Sequence, residues 1–258
     1  MSAWRLEPAY LHLAAAFGSL DRVFALEGEA LTRSSRSEVL RVTLAGTRYY
    51  VKRYQRSMAR DGRSNWRRAL RYALLACLPR TRVRSEWQNL MRFAQWGIPT
   101  AEIVAFGEER RFGMFSRGAL ITRELENTQD LAELARRKDP RLRDRAWVRQ
   151  VGDQIAACTR ILHAHRFAHN DLKWRNILVD DSARVYLIDC PLGSILPAGP
   201  LLRRRMEKDL ATLDKVACTC LSRSTRLRFF LVYREKQRLA PPDKASIRRI
   251  THFFKDRP

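Results

Sequence analysis

The chain predicts an α+β protein built as two lobes. Three observations carry this. Strand-like segments crowd the first half, and amphipathic helical periodicity dominates the second. A polar loop, followed by an apolar hairpin, sits directly after the longest predicted helix. With 258 residues the chain is long enough to bury a sizeable core.

Taken in order, Val23 to Thr32 and Glu38 to Leu44 read as strands joined across the polar turn Arg33-Ser34-Ser35-Arg36-Ser37. Ala45-Gly46 makes a second turn into Thr47 to Lys52, so a small antiparallel meander is expected. Residues 58–78 carry Trp66, Leu70, Ala73, Cys77 and Leu78 at helical steps, and Pro79 ends the run. Arg56, Arg60, Arg63, Arg67 and Arg71 form a basic stripe beside that apolar face. A further helix covers Arg84 to Trp96, closed by Gly97 and Pro99. Short strands are expected near Ile103–Phe106 and Ala119–Thr122. From Asp144 to Phe167, Trp147, Val151, Ile155, Cys158 and Ile161-Leu162 share one helix face. Ile177-Leu178-Val179 and Val185 to Ile188 then form a hairpin across Asp180-Asp181, and the remainder from about Leu201 is helical and basic. The lobe boundary falls near Leu125 to Gln129. The expected domains are therefore 1–125, with a basic helical insertion at 53–84, and 126–258.

Charge narrows the partners. Lys plus Arg total 50 against 27 acidic residues, a net of +23, which suits a polyanionic partner. Nucleic acid, an acidic membrane surface and a phosphorylated glycan all meet that description. No aromatic-interleaved RNA motif accompanies the charge, so no nucleic-acid partner is expected. Five cysteines without a CxxC spacing read as free thiols of a reducing compartment. No signal peptide is recognised at the start, and no apolar run approaches a membrane span, so a cytoplasmic location is expected.

Residues 169–176 read His-Asn-Asp-Leu-Lys-Trp-Arg-Asn. Transfer of a phosphoryl group needs an acceptor for the hydroxyl proton, cation ligands and a positive charge on the phosphates. The spacing matches the H-x-D-L-x-x-x-N loop that supplies the first two. Asp171 is the expected base and Asn176 a magnesium ligand. Lys173 is within reach of the transferred phosphate, and His169 orients the loop. Asp189, at the end of the apolar strand Val185 to Ile188, fits the second metal ligand, since carboxylate oxygen suits magnesium. Lys52 ends a strand, as a phosphate-pairing lysine does. Glu86 begins the next amphipathic helix and is the only acidic residue between Asp61 and Glu102, which makes it the expected partner of Lys52. Glu124 and Leu125 lie in the linker Thr122 to Glu126, whose backbone is placed to meet an adenine. Asp209, on a later helix, is a candidate brace beneath the loop.

These motifs resemble the protein-kinase-like fold and, more narrowly, the heptose and Kdo kinases of the lipopolysaccharide core. The resemblance spans roughly residues 20–220 and rests on Lys52, Glu86, Asp171, Asn176, Asp189 and the segment Gly97-Ile98-Pro99-Thr100. The absence of an Ala-Pro-Glu segment after Asp189 is similar too. It implies ATP and Mg2+ as cofactors. It also implies an inner-core sugar hydroxyl, of heptose or Kdo, as acceptor at the cytoplasmic face of the inner membrane. The basic charge suits a lipopolysaccharide core glycolipid among anionic lipids. Two departures stand out. No G-x-G-x-x-G lies between the first strands; a turn centred on Ser35 occupies its place, with amides and hydroxyls suited to phosphates. Asp189 is followed by Cys190-Pro191 rather than Phe-Gly. The arginine stripe reads either as a solvated face or as a contact for an anionic membrane surface. Alternatives on the same fold are a kinase of proteins or small alcohols, or a basic pseudokinase scaffold that binds membrane or RNA.

Overall fold

A computed structural model describes residues 2–34, 37–55 and 81–254. The helix expected over 58–78, its arginine stripe, Cys77 and Ser35 lie outside the described residues. The chain divides into two compact units, one of residues 1–91 with 101–125, the other of 92–100 with 126–258.

The first unit holds a six-stranded antiparallel sheet in the order β1-β5-β6-β4-β3-β2. Its strands are β1 (Ser2–Leu6), β2 (Glu29–Arg33), β3 (Ser37–Leu44), β4 (Thr47–Gln55), β5 (Ile103–Arg111) and β6 (Met114–Arg123). The Ala45-Gly46 turn has φ of 48° and 77°, the left-handed pair that a two-residue hairpin needs. The expected strand Val23 to Thr32 is a correction: its first part is the helix Leu20–Ala25, and only Glu29–Arg33 is strand. Ser19 caps that helix by accepting from the Arg22 amide at 3.2 Å. Leu20 and Val23, three apart, are buried together, so helical spacing wins over alternation. The expected meander is also too small. β1 pairs with β5, and the short strands near 103 and 119 extend into a long hairpin. Phe17, Leu20 and Val23 pack on Val51, Val104, Ala105 and Ile121 of the sheet. Fully burying Val51 or Ile121 is worth about 1.5–3 kcal/mol each.

The second unit is mainly helical. The described helices of ten residues or more after the sheet are Arg145–Ala164, Pro200–Cys220, Arg223–Tyr233 and Pro241–His252. Asp144 caps the first by accepting from the Ala146 amide at 2.8 Å, so it precedes the helix rather than opening it. The helix ends at Ala164, and Phe167–Ala168 form β8, paired with β11 (Ser194–Ile195). β9 (Ile177–Asp180) and β10 (Val185–Leu187) make the expected hairpin, and β7 (Thr128–Asp130) joins them as a third strand. The helix expected from Arg84 is Arg82–Gln95, and Gly97 follows it at φ 71°. The Ile98 amide reaches back to the Phe93 carbonyl at 2.9 Å, a Schellman-type stop that only a left-handed residue allows cheaply. Ala156, Leu210, Ala211, Phe230, Tyr233 and Ile250 form the helical core.

Candidate active site

In the first unit, period-two alternation along β4 places Tyr49 and Val51 in the core and Tyr50, Lys52 and Tyr54 on the other face. Lys52 lies in register between Val39 and Leu120. Its Nζ donates to Glu86 Oε1 at 2.5 Å, and the Tyr54 hydroxyl donates to Glu86 Oε2 at 2.9 Å. The Glu86 side chain is 1 % exposed and that of Lys52 is 19 % exposed, so the pair is largely withdrawn from water. The 34 residues that separate the two in sequence do not keep them apart.

Glu124 is held by its surroundings. Its carboxylate accepts from the Tyr50 hydroxyl at 2.9 Å and pairs with Arg48. Its amide donates to the Arg48 carbonyl at 2.9 Å, so an adenine contact from Glu124 would fall to its carbonyl. Leu125 closes the first unit.

The second unit assembles the loop. Asn170 takes a left-handed φ of 64°, which asparagine tolerates better than most residues. Asp171 Oδ1 pairs with Lys173 Nζ at 2.6 Å. Asn176 is buried, and its amide nitrogen donates to the Asp171 carbonyl at 2.9 Å. That leaves the amide oxygen as the donor atom for a hard cation. The Ile188 amide donates to the Asn176 carbonyl at 3.0 Å, which brings the segment just after β10, with Asp189 next in the chain, alongside Asn176. Asp189 is half-buried with φ of 58°, and Cys190 beside it is fully buried. A side chain at Gly193 would collide with the Phe167 ring and the Cys190 sulfur, so this segment packs closely on β8. One carboxylate and one amide oxygen suit magnesium, which takes its other ligands from phosphates and water. Among the described residues no cluster of three or more His, Cys, Asp or Glu offers a soft-metal site.

His169 is fully buried and stacks on Phe93, with ring centroids 6.0 Å apart. Burial lowers its pKa against the opposing pull of Asp209, Asp171 and Asp189. Its ring packs the loop against Phe93. Asp209, also fully buried, accepts from the His169 amide at 2.7 Å and the Asn170 amide at 2.8 Å. The expected brace thus has both carboxylate oxygens on the loop backbone.

Three contacts lay beyond sequence reasoning. Lys208 Nζ donates to the Asn170 carbonyl at 2.9 Å, and Trp174 Nε1 donates to the Leu213 carbonyl at 2.9 Å. His163 Nε2 stands 3.5 Å from Asp209 Oδ2. The spacing of Lys208 beside Asp209 was the one signal available.

A strand lysine paired with a helix glutamate in the first unit, and an aspartate–asparagine loop followed by a hairpin and Asp189 in the second, are the kinds of group that phosphoryl transfer uses. The chain is an ATP-dependent phosphotransferase of the protein-kinase-like fold. Within that class, the lipopolysaccharide kinase (Kdo/WaaP) family matches residues 21–233, and the chain belongs to it. It is 29% identical over 222 residues to the lipopolysaccharide core heptose(I) kinase WaaP of Pseudomonas aeruginosa, covering 83% of this chain and 79% of that protein. It is 33% identical over 115 residues to the 3-deoxy-D-manno-octulosonic acid kinase of Actinobacillus succinogenes, covering 43% of this chain and 45% of that one. The solved structure of WaaP in complex with acyl carrier protein superposes with a TM-score of 0.69 at 22% identity, covering 98% of this chain and 92% of that chain. That likeness shows the fold.

Proposed function

We propose that this chain transfers the γ-phosphoryl group of ATP to a heptose hydroxyl of the lipopolysaccharide inner core. The observation that carries the choice of heptose over Kdo is coverage. The heptose kinase aligns along 83% of this chain, whereas the Kdo kinase aligns along 43%.

In this reading residues 1–125 hold the nucleotide. Lys52, oriented by Glu86, neutralises its phosphates, and the backbone of Glu124 and Leu125 meets the adenine. Residues 126–258 supply the acceptor chemistry. Asp171 orients the sugar hydroxyl and takes its proton as the oxygen bonds to phosphorus and ADP departs with the bonding electrons. Lys173 moves from its Asp171 contact to the transferred group, offsetting the charge that develops there. Asn176 and Asp189 would hold Mg2+, which screens the phosphate oxygens when bound.

The protein works at the cytoplasmic face of the inner membrane, drawn to anionic lipid by its net charge of +23. No described helix is long and apolar enough to cross a membrane. An acyl carrier protein, the partner in the solved WaaP complex, is a partner here too. A groove of about 980 Å³ in the second unit supports this, lined by Leu131, Trp147, Val151, Leu210, Phe230 and Ile250. Arg143, Arg145, Arg149 and Arg223 on its wall are exposed and make no ion pair with a described residue.

The test is transfer of label from ATP to dephosphorylated inner-core lipopolysaccharide, scored separately on truncated cores ending in heptose or in Kdo. Label on heptose supports the proposal. Label on the Kdo-only core moves the chain to the other branch of its family, and label on neither removes lipopolysaccharide as the acceptor.

A further inference from the structure

Tyr233 ends the helix Arg223–Tyr233, far from the loop in sequence, yet it touches a buried chain of groups that leads there. Its hydroxyl lies 2.7 Å from His163 Nδ1. The opposite ring nitrogen, Nε2, stands 3.5 Å from Asp209 Oδ2, near enough for electrostatic attraction but too long for a hydrogen bond, and this buried nitrogen has no other hydrogen-bond partner among the described residues. Asp209 in turn holds the amides of His169 and Asn170, immediately before Asp171. His163, Asp209 and Tyr233 are each less than a tenth exposed, so water does not compete for these contacts.

The proton placement follows from donor and acceptor chemistry. An ionised carboxylate only accepts, so the nitrogen that faces it carries the hydrogen. A neutral imidazole then has its lone pair on Nδ1, and the Tyr233 hydroxyl must donate to it. We infer that Tyr233 is a positioning residue for phosphoryl transfer, fixing the His163 tautomer so that Nε2–H, rather than a lone pair, faces the aspartate that holds the catalytic loop. This inference rests on the proposed role of Asp171. Burial pushes the Tyr233 phenol up to about 12, which keeps it a donor throughout the working range.

Without the hydroxyl, His163 is free to take the other tautomer, with a nitrogen lone pair against the Asp209 carboxylate. The carboxylate then shifts, and the two loop amides lose their fixed acceptor. Tyr233→Phe keeps the ring that packs on Phe230 and removes only the hydroxyl. It should lower kcat about tenfold with KM for ATP unchanged, since one buried hydrogen bond is lost from a group that does not touch nucleotide. Deuterium exchange at the His169 and Asn170 amides should quicken about tenfold in the same variant, because their acceptor is less constrained. In a His163→Phe background, Tyr233→Phe should add nothing, since the link is already broken. Equal kcat in wild type and Tyr233→Phe, or unchanged exchange at His169 and Asn170, overturns the inference. So does full additivity with His163→Phe. If wild type labels no glycan, the acceptor assignment fails, and the exchange measurement alone decides the role of Tyr233.

Discussion

Glu86→Ala separates stability from chemistry at the Lys52 pair. Deleting one partner of a buried ion pair costs about 3–5 kcal/mol, because the other charge is left uncompensated. The Lys52 side chain is 19 % exposed and partly rehydrates, so the low end, about 3 kcal/mol, applies. The Tyr54 hydroxyl also loses its acceptor at 2.9 Å, adding about 1 kcal/mol. A chain of this size loses about 2–4 °C of Tm per kcal/mol, so thermal denaturation without nucleotide should fall by roughly 10 °C. Glu86→Gln keeps one acceptor oxygen, for Lys52, and turns an NH2 towards the Tyr54 hydroxyl, which can accept from it; it should recover part of that stability while still losing catalytic rate, since Lys52 is no longer charge-paired. Replacing both partners, Lys52→Met with Glu86→Leu, should restore the midpoint towards wild type and abolish transfer, because an apolar pair of similar volume removes the buried charge. A Glu86→Ala midpoint within about 2 °C of wild type would refute the pairing, given the Tm scale above. So would a double variant that still transfers phosphate.

Other outcomes follow from the second unit. Asp209→Asn puts an NH2 group against one of two backbone N–H donors, and should cut kcat about a hundredfold with KM for ATP unchanged, measured by steady-state assay. For His169, burial lowers the folded pKa below the ordinary 6.5, so the unfolded state binds more protons once pH drops beneath that value. Its stabilising contribution is present above pH 6.5 and is lost on acidification towards the folded pKa. His169→Phe should therefore flatten the dependence of stability on pH below 6.5 relative to wild type, as read by urea titration. The buried Cys158 thiol is pushed up to about 11, whereas Cys218 is exposed. Alkylation at pH 8 should modify Cys218 first and leave Cys158 unreacted in folded protein, as peptide mapping will show.

What the sequence disclosed was mostly what it keeps close together. Asp171 and Asn176 sit five residues apart in one loop, so type and spacing were readable directly. The hairpin after them followed from two apolar runs around Asp180-Asp181. Glu86 was legible for a different reason: a basic stretch left one acidic residue on the right helix. The N-terminal sheet was legible only in part. Val23 and Phe24 are β-prone, and local propensity pointed to a strand from Val23, but the Ser19 cap and the buried face against Val51 and Ile121 chose helix over Leu20–Ala25. β1 was invisible because its worth lies in pairing with β5, over a hundred residues later. The buried support of the loop was least legible. Tyr233 and His163 meet across 70 residues, and neither carries a local signature. Lys208 and Trp174 likewise gain their meaning only when the Pro200–Cys220 helix is packed.

The central claim, that the loop at 169–176 transfers phosphate from ATP to an inner-core sugar, is tested most directly with one pair of proteins. Wild type and Asp171→Ala are incubated with labelled ATP, magnesium and dephosphorylated inner-core lipopolysaccharide, and label on the glycan is counted. The account predicts label on heptose with wild type and its loss in the variant, with ATP binding retained in both. Label that persists in Asp171→Ala, or none with wild type that binds ATP, would contradict it.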